Sequence, residues 1–143
     1  MQRLFDRRVA DCERALGVRL PVTYDTGPYP HFKTKRGFGV TFQDCPGGPC
    51  HIRLAKKLTK APRHRQDGII RHELGHVLDL TLPARELNAW CRKRGVRLPA
   101  KKHGEIRADA IAHAVWGKPL KYDKDTVQST TQGTWPRPAH LGT

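Results

Sequence analysis

Apolar residues recur at helical spacing in four stretches of this chain, and shorter stretches between them have the composition of strands. The helical pattern predicts helices over residues 3–16, about 62–80, 83–95 and about 104–117. The strand-like stretches are residues 18–24, 37–43 and 51–55, and the turn-forming residues 44–50 join the last two into a hairpin. We therefore predict an α+β fold in which a short antiparallel or mixed sheet packs with the helices.

The organised part of the pattern ends near residue 120 of 143. Residues 1–120 are predicted to form one domain with one core. Residues 121–143 lack apolar periodicity, so we expect an irregular C-terminal tail with Trp135 as a docking point. No apolar stretch is long enough to cross a bilayer, and the first residues lack the apolar region of a secretory signal, so we expect a cytoplasmic protein without membrane contact.

The charge balance is strongly basic, with 27 Lys and Arg residues against 13 Asp and Glu residues and a formal net charge of +14. Such a balance favours polyanionic partners, namely nucleic acid or an acidic protein. Two basic segments contain no acid and precede predicted helices; they are Lys56, Lys57, Lys60, Arg63 and Arg65, and then Arg92, Lys93, Arg94, Arg97, Lys101 and Lys102. They are either solvated loops or the flanks of a cleft. Neither has the interleaved aromatic residues of a base-stacking surface.

The four cysteines form no Cys-x-x-Cys pair. In a reducing compartment we expect Cys12, Cys45, Cys50 and Cys91 to be free thiols. The alternative is a small bridge or a metal site formed by Cys45 and Cys50 in an exported chain.

The sequence His72-Glu73-Leu74-Gly75-His76 has the His-Glu-x-x-His pattern. Its two histidines lie one helical turn apart and can share one zinc ion, with the glutamate beside them. At about 100° per residue, His72, His76 and Asp79 share a sector of the helix. The opposite sector is apolar and consists of Ile70, Leu74, Val77 and Leu78. One face is therefore predicted to hold the helix in the core while the other faces the metal.

A hydrolytic zinc site needs a third protein ligand and one position left open for water. Glu105 and Asp109 lie four residues apart on the last predicted helix, beside an apolar stripe. Glu105 is the predicted third ligand, and Asp109 is predicted to accept the free ring N–H of a zinc-bound histidine. The alternative for this pair is a solvated acidic face.

This combination resembles the gluzincins, the thermolysin-like zinc peptidases. The His-Glu-Leu-Gly-His motif followed by Glu105, Ala108 and Asp109 is similar to the small minigluzincin cores and to phage and bacterial anti-repressor peptidases. The resemblance implies a small zincin-like domain acting as a zinc-dependent endopeptidase on a protein or peptide substrate. It also implies that His72, His76 and Glu105 bind Zn²⁺, that Glu73 is the general base toward a zinc-bound water, and that Asp109 orients a ligand. The substrate would pair with an edge strand made of His51, Ile52, Arg53, Leu54 and Ala55.

Several alternatives stay open. His103 and Gly104 directly precede Glu105, and in the SprT-like peptidases, which act on proteins at DNA, a histidine from such a step is the third ligand. The metzincin pattern is excluded because it requires Gly and His where Asp79 and Leu82 stand. Candidate oxyanion donors are His103, His113, Arg107 and Tyr122. A different class is a basic nucleic-acid-binding protein whose zinc site is structural and closed by Asp79, His103 or Asp109.

Overall fold

The computed structural model describes residues 1–33 and 37–120 and the backbone of residues 131–132. Within this part of the chain lie four α-helices, which are α1 (Gln2–Leu16), α2 (Arg63–Thr81), α3 (Ala84–Lys93) and α4 (Gly104–Trp116). The strands are β1 (Val22–Thr26), β2 (Gly39–Gln43), β3 (Cys50–Leu54) and the two-residue β4 (Thr131–Gln132). Two short 3₁₀ helices cover Pro30–Lys33 and Lys56–Lys60. The predicted α+β class is confirmed, and the helix boundaries match the predicted ones closely.

The strands form one mixed sheet in the order β1-β3-β2-β4. Strand β3 is parallel to β1 and antiparallel to β2, and Thr131 and Gln132 pair in parallel with Phe42 and Gln43 of β2. The predicted hairpin between the second and third strands is therefore confirmed. The prediction that residues 51–55 form an edge strand is wrong, because β3 is hydrogen-bonded on both sides. Side-chain alternation within a strand carries no information about which strands flank it.

Strand β1 also differs from its predicted position, since it covers Val22–Thr26 instead of 18–24. Pro21, which interrupts the predicted strand, lies just before β1, and its carbonyl accepts a hydrogen bond from the Cys50 amide. A proline tolerates a position at a strand's beginning because its missing N–H breaks no ladder bond there.

Helix α2 is the centre of the molecule. It packs against α1, α4 and β2, and its residues from Gly68 to Leu78 are buried on every side of the helix. The apolar sector predicted from the sequence does face the core, and the opposite sector is enclosed as well. The core around this helix includes Leu4 and Phe5 from α1, Ile52 and Leu54 from β3, and Ile111 from α4.

The other face of the sheet carries a second, smaller apolar cluster. Tyr29, Val40 and Phe42 are buried there, with Phe32 packed against them. All four cysteines are free thiols, with Cys45 alone exposed, so the predicted state holds and no Cys45–Cys50 bridge is present. None of the helices described is both long and apolar enough to cross a membrane. The expectations for residues 121–143 and Trp135 lie outside the described residues, apart from the backbone pairing of Thr131 and Gln132.

Candidate metal centre

Two helices distant in sequence meet closely at the candidate site, because a glycine and an alanine face each other there. A Cβ atom added to Gly75 of α2 would collide with the backbone carbonyl of Ala108 in α4. The glycine in the His-Glu-Leu-Gly-His motif is therefore required by packing. This close contact brings the carboxylates of α4 up to the histidines of α2.

Three side chains converge at this contact. His72 Nε2 lies 3.1 Å from His76 Nε2 and 3.2 Å from Glu105 Oε2, and His76 Nε2 lies 2.9 Å from Glu105 Oε1. Within the described ranges these three residues form the only group of histidine, cysteine and acidic side chains arranged closely enough to hold a metal ion. Both histidines are almost completely buried, while Glu105 is 36% exposed.

The spacing and chemistry of these atoms fit a metal ion. Ligand atoms about 2.0–2.1 Å from a tetrahedral zinc ion lie about 3.3 Å from one another, close to the three separations found here. His72 Nδ1 lies 2.7 Å from Asp109 Oδ1, so in the neutral ring this nitrogen donates its proton to the carboxylate and leaves a lone pair on Nε2. That lone pair points toward the second imidazole and the Glu105 carboxylate, an arrangement that a shared cation stabilises.

The charges at the site shift the pKa values of its groups in opposite directions. Burial alone lowers the pKa of His72, but hydrogen bonds to Asp109 and Glu105 and the nearby negative charges outweigh it and raise that pKa to about 10. Burial raises the pKa of Glu105, but the two histidines outweigh that effect and lower it to about 2. The metal-free site therefore holds a proton where a metal ion would bind.

Glu73 lies beside the three converging side chains, fully buried between α2 and β2. Its Oε1 accepts a 2.6 Å hydrogen bond from the Thr41 hydroxyl, and its Oε2 has no hydrogen-bond partner among the described residues. Gly39 of β2 leaves space for this carboxylate, because a Cβ atom there would lie 3.1 Å from Oε2. Burial raises the pKa of Glu73, and the charges of His72 and His76 and the Thr41 hydrogen bond lower it less, so the net direction is upward.

Other residues predicted for the site have different positions. Asp79 accepts hydrogen bonds from Arg107 Nε and Lys101 Nζ, each at 2.9 Å, and it is not in the metal group. Arg107 is buried and also donates to Pro99 O and Asn88 Oδ1. Its guanidinium therefore links α4 to α2 and α3. The interpretation of Asp79 as a ligand and of Arg107 as an oxyanion donor is not supported by these contacts.

The remaining candidates lie on or beyond α4. His103 is exposed, precedes the first residue of α4, and is not one of the three residues in the metal group. His113 lies about two helical turns from Glu105. Asp109 contacts His72 Nδ1 and not the converging Nε2 atoms, as expected for a residue that orients the ring. Tyr122 lies outside the described residues.

Sequence reasoning missed Thr41 and Gly39. The strand that contains them is predicted by its alternation, but its position beside Glu73 depends on the order of strands in the sheet. A signal present in the sequence is that Gly39, Thr41 and Gln43 share one face of that strand and are all small or polar, which is unusual for a face covered by a helix.

No protein-family model, no curated protein and no solved structure matches this chain. The function proposed below therefore rests on the chemistry of the site. A centre with three protein ligands and one side partly open to solvent is typical of catalytic zinc, whereas structural zinc centres usually have four protein ligands.

Proposed function

We propose that this chain is a zinc-dependent endopeptidase of the gluzincin kind, with a zincin-like arrangement of its α+β domain. The observation that carries the proposal is the convergence of His72, His76 and Glu105 beside the buried Glu73 carboxylate. A metal site alone would not require a glutamate with one unpartnered oxygen next to it.

The ligand residues would bind the metal through His72 Nε2, His76 Nε2 and a Glu105 carboxylate oxygen. Asp109 would hold the His72 ring in the orientation and tautomer that leave Nε2 free for coordination. A zinc ion bound there polarises a peptide carbonyl and lowers the pKa of a water molecule. The three-ligand group leaves a position for that water, which favours a catalytic centre over a closed structural one.

Glu73 would be the general base. Thr41 fixes Oε1 by its 2.6 Å hydrogen bond, which leaves Oε2 to accept a proton from the attacking water. The same oxygen would then return the proton to the amine that leaves when the peptide bond breaks. Burial, which raises the pKa of Glu73, makes its carboxylate a stronger base than an exposed one.

An extended peptide would pair with β2 and not with residues 51–55. Strand β2 contacts Glu73 through the Thr41 hydroxyl. In the part of the sheet formed by β1, β3 and β2, strand β2 lies at one edge, with its outer side facing away from β3. Thr131 and Gln132 pair with Phe42 and Gln43 on that side, and no other described residue pairs there. Main-chain pairing with such an edge tolerates many substrate sequences.

The test combines metal content with peptide hydrolysis. We expect the purified full chain to contain about one zinc ion, to lose it in His76→Ala, and to keep it in Glu73→Gln while losing hydrolysis of an unfolded protein such as casein. Loss of the general base should lower the rate at least about 100-fold.

Matched controls use the same substitutions at exposed positions. His64→Ala, on α2, should keep both zinc and activity, and so should Glu86→Gln on α3. A full zinc load in His76→Ala would overturn the metal assignment. Unchanged hydrolysis in Glu73→Gln would overturn the role of Glu73, and salt-sensitive DNA binding unaffected by chelation, without any hydrolysis, would favour a nucleic-acid-binding protein.

A further inference from the structure

A cavity of about 580 Å³ lies at the end of the sheet where β1 and β3 finish. It is formed by residues from the segment 27–33 and by residues 55–57, and it shares no residue with the metal centre. Its volume is within the range of about 300–1,000 Å³ that is typical of ligand pockets. The proposed peptidase reaction uses none of its residues.

The rim of this cavity is positively charged. Lys33, Lys56 and Lys57 line it and are exposed, and no acidic residue is among the described lining residues. The Lys57 ammonium group lies 4.7 Å from the centre of the Phe38 ring and donates a hydrogen bond to Phe32 O, so it is held beside the cavity. A concentration of positive charge around an apolar depression attracts an anionic ligand.

The floor of the cavity is apolar and accepts a side chain better than a nucleic acid base. Tyr29 is buried, and its ring already contacts the rings of His31, Phe32 and Phe42 at centroid distances of 5.3, 5.3 and 5.8 Å. Stacking of successive nucleobases requires several aromatic faces open to solvent. Tyr29 is buried, and Phe32, which is half-buried against the Tyr29 ring, is the other aromatic residue among the described lining residues. The apolar wall therefore fits insertion of a bulky apolar side chain.

We propose that this cavity, with its lysine rim, is a docking site for an acidic peptide segment of a partner protein. A leucine or phenylalanine side chain of the segment fills the apolar interior beside Phe32, and flanking Asp or Glu carboxylates contact Lys33, Lys56 and Lys57. Burial of the apolar side chain gives affinity, while the carboxylates give selectivity and faster association. No residue of the metal centre takes part in this binding, so the docking site does not depend on the proposed peptidase activity.

The experiment measures fluorescence anisotropy of a fluorescein-labelled EELFEE peptide. The full chain carries Glu73→Gln so that the probe is not consumed. We expect saturable binding, at least tenfold weaker binding of an EESSEE peptide, and at least tenfold weaker binding of EELFEE to Lys56→Glu/Lys57→Glu. The matched control, Lys93→Glu/Lys102→Glu, changes the net charge equally at exposed positions in the other basic segment and should bind EELFEE with less than twofold change.

Each other outcome overturns the proposal. Equal binding of the two peptides would mean that the apolar interior is not used, and equal loss in both lysine variants would mean that only the overall charge attracts the peptide. Tighter binding of a labelled six-nucleotide thymidylate that Lys56→Glu/Lys57→Glu abolishes would identify a nucleic-acid site. Lys56→Gln/Lys57→Gln, which removes the two charges without introducing acids, should also weaken EELFEE binding and tests the site if the charge-reversed variant does not fold.

Discussion

At the residue scale, the Asp109 carboxylate controls which ring nitrogen of His72 is available to a metal ion. The 2.7 Å contact with Nδ1 orients the imidazole and, in the metal-free protein, stabilises its charged form. The pKa of His72 is lowered by burial but raised more strongly by Asp109 and Glu105, to about 10. At neutral pH a metal ion must therefore displace a proton.

This competition predicts that zinc binding at about pH 7.5 releases about one proton from the site. The apparent zinc affinity should rise as the pH increases toward 10, because the proton then competes less. Isothermal titration calorimetry in two buffers with different ionisation enthalpies measures the number of protons released.

Asp109→Asn provides the comparison. Without the carboxylate the pKa of His72 falls, so fewer protons should be released, and the loss of orientation should weaken zinc binding about 10–100-fold. Asp6→Asn, at an exposed position of α1, should match the unaltered chain in both respects. Identical proton release in all three proteins would contradict the role assigned to Asp109.

The residues of the site differ in how far the sequence predicts them. His72, Glu73 and His76 follow from the spacing of one helical turn, and the pairing of Glu105 with Asp109 follows from the same spacing in a second helix. Both patterns are local. Thr41 contacts Glu73 from a position 32 residues earlier in the chain, so its role depends on the tertiary fold and cannot be found from spacing.

At the scale of elements, the contact between α2 and α4 depends on Gly75. Gly75→Ala is expected to destabilise the protein by about 1–3 kcal/mol, because the added methyl group must push the Ala108 backbone away. The same displacement moves Glu105 relative to the histidines, so zinc binding should weaken. Urea unfolding monitored by circular dichroism measures the stability, and zinc titration measures the affinity.

Gly104→Ala is the matched control because Gly104 has ordinary helical backbone and no atom lies within 4 Å of its missing Cβ. This control should keep or slightly increase the stability, as expected when alanine replaces glycine in a helix. If both variants had the same stability and zinc affinity, the close packing of α2 and α4 would not be what brings the ligands together.

The strands show why element order is harder to predict than element position. Alternation in residues 37–43 and 51–55 gives two strands and the CPGGPC turn gives their hairpin, all of which are local features. The parallel pairing of β1 with β3 joins Val22 to Cys50 and is not encoded in any short segment. This pairing removes β3 from the edge of the sheet, which is why the proposed peptide site is placed on β2.

The edge position of β2 leads to a prediction about the segment Thr131–Gln132. If a substrate peptide uses this edge, it competes with that segment for the backbone groups of β2 that point away from β3, such as those of Gln43. The double variant Thr131→Pro/Gln132→Pro disrupts this pairing, so it should lower KM for peptide hydrolysis several-fold and accelerate amide exchange at Gln43, whose N–H points away from β3. Exchange at Phe42, whose N–H points toward β3, should not change. Steady-state kinetics and hydrogen exchange provide the two measurements.

A control with Lys124→Pro/Thr126→Pro places two prolines in the same part of the sequence without altering the paired residues. It should leave KM and the exchange of the Gln43 amide unchanged. An unchanged KM in the first variant despite faster exchange would show that the peptide does not use this part of β2.

At the scale of the whole molecule, partly buried hydrogen bonds to carboxylates connect helices that are far apart in sequence. Arg8 of α1 donates to Asp67 of α2 at 2.7 Å, and the indole N–H of Trp116 in α4 donates to Asp11 of α1 at 2.9 Å. The net charge of +14 has little role in these contacts, because each involves a specific carboxylate. Composition therefore predicts the surface potential, whereas the acids that hold the helices together become apparent only in the fold.

The Asp11 contact gives the stability of the fold a defined pH dependence. Burial raises the pKa of Asp11, but the hydrogen bonds from Trp116 and Arg8 outweigh it, so the folded-state pKa is lower than the ordinary value of 3.8. A lowered pKa stabilises the fold at pH values above the pKa of the unfolded state, and this stabilisation is lost as the pH falls through the pKa of the folded state.

Asp11→Asn should therefore lower the free energy of unfolding at pH 6, by at most about 1 kcal/mol since the pair is partly exposed. Thermal unfolding experiments should show the difference in unfolding free energy between the two proteins shrinking toward zero below about pH 3.8. A constant difference from pH 6 to pH 3 would mean that packing, and not the charge of Asp11, holds α1 to α4.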